Sequence, residues 1–189
     1  LLYGIGINDA TYKTHDGKRI ICPFYSTWKG MLDRNRRLGT PIAREWLTFS
    51  TFKAWMESQA WEGNELDKDL FGGSVYSPEN CCFLPRCVNG WMQDNRKKDK
   101  SELPLGVSMN RSGTRYKAYA DSTYLGTFDN VGVAHAAWRT FKFNRSQIIA
   151  EELRSAGYSD TICQHIAERY AERVTIDEMQ FDIGCNYGH

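Results

Sequence analysis

The chain has 189 residues with a globular composition, 41% hydrophobic, 25% charged and 13% aromatic, enough for one ordinary domain or two small ones. It contains no apolar run of about 18 or more residues, so no membrane span is expected. A formal net charge of +1 argues against a nucleic-acid partner until the chain is divided: residues 1–85 balance at 0, residues 86–145 carry +6 and residues 146–189 carry −5. A basic middle beside an acidic tail restores that partner class.

The chain opens "LLYGIGIN" without a Met, so a natural start upstream of Leu1 is expected, and no signal peptide is visible. Six cysteines include no CxxC pair and no four at zinc-ligand spacing, so reduced and mostly buried thiols in a cytosolic protein are expected. "YKTHDGKRIIC" predicts a hairpin around Asp16-Gly17. "FYSTWKGMLDRNRRL" then has helical spacing through Phe24, Trp28, Met31 and Leu32, with Pro23 suited to the first turn. "REWLTFSTFKAWMESQ" predicts a second helix, capped by Thr48 or Ser50, with Phe52, Trp55 and Met56 inward. Trp28, Trp46 and Trp55 are expected in the core. Residues 61–80 form a loop with at most short strands, and residues 82–96 have a helical look, with Val88, Trp91 and Met92 inward. "DNRKKDKSELP" is a charged linker, which sets a boundary near residue 100.

Beyond it the period changes. "LGVSMN", "RYKAYAD" and "STYLGTF" are β-type runs separated by "RSG" and by a turn near Asp121-Ser122. "NVGVAHAAWRTFKFN" predicts a helix capped by Asp129 or Asn130, with Val133, Ala136, Ala137 and Phe141 inward. Residues 146–174 suggest an amphipathic helical tail interrupted at Gly157. The expected class is α+β: an N-terminal helical and ββα metal-finger-like part, then a three-stranded antiparallel sheet packed on one helix, then the tail. The expected domains are residues 1–100, 101–145 and 146–189. The tail suits either docking on the body or a homodimer contact.

Two motifs carry the functional reading. The pattern "GV…Y.A…LGTF…A..A", at Gly106-Val107, Tyr116, Ala118, Leu125–Phe128, Ala134 and Ala137, resembles the AP2-type DNA-binding domain over about residues 103–145. That resemblance implies that the sheet enters the major groove of double-stranded DNA, as a narrow β-ribbon can. Strand alternation puts Arg115, Lys117 and Tyr119 on one face, and Tyr116 and Ala118 toward the helix. Arg111, Arg96, Lys97 and Lys98 add positive charge nearby. The family's second-strand Trp is Tyr116 here, so base preference does not transfer.

The stretch "LDKDLFGGSVYSPENCCFLPRCVN", Leu66 to Asn89, resembles the HNH endonucleases of phages and mobile elements, in the His-Me finger class. Glu79-Asn80 supplies the "EN", Asn89 follows nine residues after Asn80, and Asp67 takes the Asp of the family's Asp-His pair. The resemblance implies catalytic positions at Asp67, Lys68, Asp69, Asn80 and Asn89, and Mg²⁺ held by Asp67 and Asn89. Such an ion would bind through hard oxygens and stabilise the leaving oxygen of a phosphodiester. Lys68 stands where the histidine belongs. An amine with a reference pKa of about 10.4 accepts no proton near neutrality, and losing a general base lowers a rate by about 10²–10⁴. His15, His135, His165 and His189 have no motif support. The family's cysteines are replaced by Asn35 and Ala43. The expectation is a DNA-binding protein of the HNH/AP2 homing-endonuclease type in the cytoplasm of a bacterial host. Its Mg²⁺-dependent cleavage is in question. The alternative is a non-cutting relative that regulates DNA or inhibits a host protein.

Overall fold

The computed structural model describes residues 1–94 and 102–171, and their contacts divide the chain into two units at Gly90/Trp91. Most of the charged linker, with Arg96, Lys97 and Lys98, lies outside the described residues, as do residues 172–189. Among the described residues no helix is long and apolar enough to cross a membrane. The division falls ten residues before the boundary near 100 that the linker composition suggests.

In the first unit, β1 (His15–Asp16) and β2 (Arg19–Ile20) form the expected hairpin, turning through Gly17 at φ +56°. Helix α1 (Pro23–Leu38) starts on Pro23, which has no N–H to leave unsatisfied, and stops at Gly39 in the left-handed conformation. It buries Tyr25, Trp28, Met31 and Leu32. The second predicted helix is two pieces, a 3₁₀ turn at Arg44–Leu47 and α2 (Phe49–Glu57). Neither Thr48 nor Ser50 caps α2 through its side chain. The cap comes from Asp9, whose carboxylate accepts the Ser50 N–H at 2.9 Å and the Ser50 hydroxyl at 2.5 Å. Those bonds favour the anion and lower the pKa of Asp9. The missing local cap is thus supplied from 41 residues away.

Trp28 and Trp46 are core residues, as expected, and Trp55 is half-buried against the core. Trp28 is fully buried and donates its indole N–H to the Trp46 carbonyl at 2.8 Å, and Trp46 packs against Trp55 with centroids 4.4 Å apart. A buried indole with its one donor satisfied contributes large apolar area without a polar penalty.

Next come β3 (Asn64–Asp67), β4 (Cys82–Pro85) and α3 (Arg86–Met92), a ββα arrangement whose helix the division at Gly90/Trp91 cuts. The strands are antiparallel, with Asp67 opposite Cys82 and Asn64 opposite Pro85. This corrects the helical reading of residues 82–96, since the first four residues are strand. Cys82, Phe83 and Leu84 are all buried, and a short apolar run buried on both faces shows no period that separates strand from helix.

In the second unit, β5 (Val107–Met109), β6 (Tyr116–Ala120) and β7 (Thr123–Phe128) form an antiparallel sheet in that order. Asp121 and Ser122, both at positive φ, make the β6–β7 turn. Helix α4 (Val131–Ser155) is capped by Asn130, whose side chain accepts the N–H groups of Gly132 and Val133. It lies across the sheet face that carries Ala118 and Ala120.

The buried positions of α4 begin Ala134, Trp138, Lys142, Ser146, one residue on from the predicted Val133, Ala137 and Phe141. Val133 is exposed, and Ala136, Ala137 and Phe141 are half-buried. The rotation centres the stripe on a lysine, which pattern reading places outside. Lys142 is 2% exposed, and its ammonium meets the Trp91 carbonyl at 3.0 Å, Asp94 at 3.3 Å and Asp121 at 3.7 Å. The Trp91 ring lies 4.0 Å away and Tyr170 closes another side at 5.3 Å, so cation–π attraction adds to the ion pairs. Gly106 shows why the "GV" of the sheet motif needs glycine. Its φ is +75°, and a Cβ there would sit 2.0 Å from Trp138.

The expected helical tail is present, and its start at residue 146 falls inside α4, which runs unbroken to Ser155. After Gly157, α5 (Asp160–Glu168) packs back on α4, with Ser146 and Gln147 donating to the Ala167 carbonyl at 3.1 and 2.8 Å.

Candidate functional site

The finger loop is built from the inside out. At the end of β3, Asp67 is buried and one carboxylate oxygen accepts the backbone N–H groups of Asp69 at 2.9 Å and Leu70 at 2.8 Å. Asp67 therefore closes the turn it opens. Asn80 does a similar job at the other end. Its amide donates to the Val75 carbonyl at 3.2 Å and lies where a Cβ on Gly73 would come within 2.3 Å. The Gly-Gly and Glu-Asn pairs of the motif are thus one packing solution. Tyr76 anchors the loop, exchanging backbone bonds with Pro41 and Ala43 and placing its hydroxyl 3.4 Å from Arg34.

Lys68 pairs with Asp69. Burial pulls its pKa down, but the hydrogen bond and charge of Asp69, with Tyr76 and Asp67 behind, outweigh that and hold it above the ordinary lysine value. Lys68 is thus an ammonium near neutrality. Burial also pushes the Cys81 thiol up to about 12. Cys22, Cys82 and Cys163 are buried as well, and Cys87 is exposed.

Of the five positions nominated in the sequence, Asp67, Lys68, Asp69 and Asn80 belong to one loop. Asn89, on α3, instead donates its amide to Glu65 at 3.2 Å. Glu65 also faces Arg86 at 3.5 Å. Sequence reading missed Glu65, although strand alternation puts it on the same side of β3 as Asp67. His15 bonds Thr14 and packs on Tyr25, inside the hairpin. Among the described residues no group of three or more His, Cys, Asp or Glu side chains is arranged to hold a metal ion.

The second candidate surface is the sheet face opposite α4. Lys117 lies beside Thr127, and Tyr119 beside Tyr124. The predicted alternation holds through a bulge at Ala118/Tyr119: Ala118 and Ala120 are buried and Tyr119 is 41% exposed. Arg115 is committed locally, with its guanidinium 2.6 Å from Asp129 and 3.2 Å from the Thr127 carbonyl. Arg111 sits exposed in the β5–β6 turn, which Asn110 holds by accepting the N–H groups of Thr114 and Arg115. Sequence reading missed Tyr124 and Thr127, whose hydroxyls are 2.6 Å apart; the β-type run "STYLGTF" carried that signal.

No family model matches the chain, and neither does any curated protein or solved structure. The β3–β4–α3 order is consistent with a generic HNH or metal-finger-like fold.

Proposed function

We propose that the protein binds DNA, double-stranded DNA included, through the open face of its three-stranded sheet, and that its finger is a nuclease scaffold that does not cut. The observation that carries this reading is the division of the sheet. One face is covered by α4, while the other presents Lys117, Tyr119 and Tyr124 with Arg111 at its edge. A narrow ribbon with cations at its rim suits a DNA groove and its phosphates. The finger supports binding without cleavage, because the position of the general base is a lysine whose charged form is favoured. Asp67 and Asn89 are the residues that would offer oxygens to Mg²⁺, and the ion would neutralise charge on a phosphate. Asp67 is buried with one oxygen already serving two backbone amides, so the fit is poor and no cleavage step follows from it.

The reading places the protein with the HNH/AP2 proteins of phages and mobile elements, as a relative that acts by occupying DNA. The test is fluorescence anisotropy on labelled DNA at rising salt, with Arg111→Ala and Lys117→Ala beside the parent. Salt-sensitive binding weakened in both variants supports it. Binding indifferent to both changes, or none at low salt, removes it.

A further inference from the structure

Two tyrosines on the open sheet face do more than groove binding requires. Tyr119 and Tyr124 are cross-strand partners on β6 and β7, with ring centroids 5.2 Å apart and an interplanar angle of 50°. They are 41% and 54% exposed, side by side, on an otherwise polar face. Thr127 fixes one ring by pairing with the Tyr124 hydroxyl at 2.6 Å, and Lys117 stands opposite Thr127. A DNA duplex keeps the faces of its bases stacked on each other and offers only edges to a protein. An unpaired strand offers the faces, which aromatic side chains can stack against.

The charge on this face points the same way. Asp129 occupies Arg115, so the face and its adjoining turn leave Lys117 and Arg111 for phosphates. A duplex binder that neutralises about 6–10 phosphates needs several more than the described residues of this face supply. One cation, Lys117, on the strand that carries Tyr119, with Arg111 at the far, β5–β6 end of the sheet, suits a short single strand.

We infer that this face binds single-stranded DNA, with successive unpaired bases stacked on Tyr119 and Tyr124 and Lys117 against the phosphate between them. The inference rests on the sheet face being the DNA surface and narrows it to the unpaired strand.

The experiment is anisotropy with the full chain on a labelled oligothymidine and on a duplex of equal length. Tyr119→Leu, Tyr124→Leu and the corresponding Phe variants accompany the parent. The expected result is tighter binding of the single strand, with a log–log salt slope near about −0.7 to −1.4 for one or two phosphates. Each Leu change weakens it about tenfold, and each Phe change leaves it within about twofold. Equal or tighter duplex binding, or Leu variants that bind like the parent, overturns the inference while leaving the DNA reading in place. No binding to either form overturns both.

Discussion

The two units bury charge in opposite ways. Asp67 in the first accepts the backbone N–H groups of Asp69 and Leu70, so its burial organises one turn. Lys142 in the second draws in Trp91 and Asp94 from one segment and Asp121 from the β6–β7 turn, and Tyr170 joins through its hydroxyl bond to Asp94 at 2.9 Å. A local anion can be lost with a local consequence. A central cation holds several elements together, and removing it takes the counter-charge from Asp94 and Asp121, which keep the Tyr170 hydroxyl and the Trp91 indole N–H. The comparison separates what each polar centre supports: a loop shape in the finger, the integrity of the unit below the sheet.

Lys142→Ala sharpens that contrast most. It is expected to destabilise the second unit by about 3–5 kcal/mol, because Asp94 loses its buried partner. Hydrogen exchange resolved by peptide should show protection lost from α4 and the sheet but kept in α1 and α2. Next, Gly106→Ala forces Trp138 aside at a position of positive φ and is expected to remove about 2–4 kcal/mol from the same unit. Asp67→Ala should remove about 1–3 kcal/mol from the first unit by leaving buried N–H groups unpaired. Asp67→Asn keeps an oxygen acceptor and should recover most of that in a denaturant melt. Equal losses in the two Asp67 variants would mean that charge, not turn closure, is its contribution.

The remaining effect is at alkaline pH. The folded Cys81 thiol titrates at about 12, while an unfolded thiol titrates near about 8.5. Between those values the unfolded state has released a proton that the folded state keeps, so stability falls as pH rises. The slope is on the order of 1 kcal/mol per pH unit for that group. Melts from pH 8 upward should show the loss, and thiol labelling should strike Cys87 well before Cys81.

Much of this was legible in the chain. Pro23 and Gly39 delimit α1, Asn130 caps α4, and three β-type runs become three strands, because each signal is local. What failed depended on distant partners. Asp9 caps α2 from 41 residues away, and Lys142 enters the core only because Asp94 and Asp121 meet it there. The strand at Cys82–Pro85 was hidden by burial on both faces. In the finger, the motif located the loop, but not the turn of Asn89 toward Glu65.

The account's central claim is DNA binding without cutting. A mobility-shift gel run with Mg²⁺ throughout, on labelled DNA with the full chain, reads both halves at once. The account predicts a retarded band that returns to full-length DNA when the protein is stripped. Shortened fragments, or DNA that migrates unshifted at low salt, would contradict it.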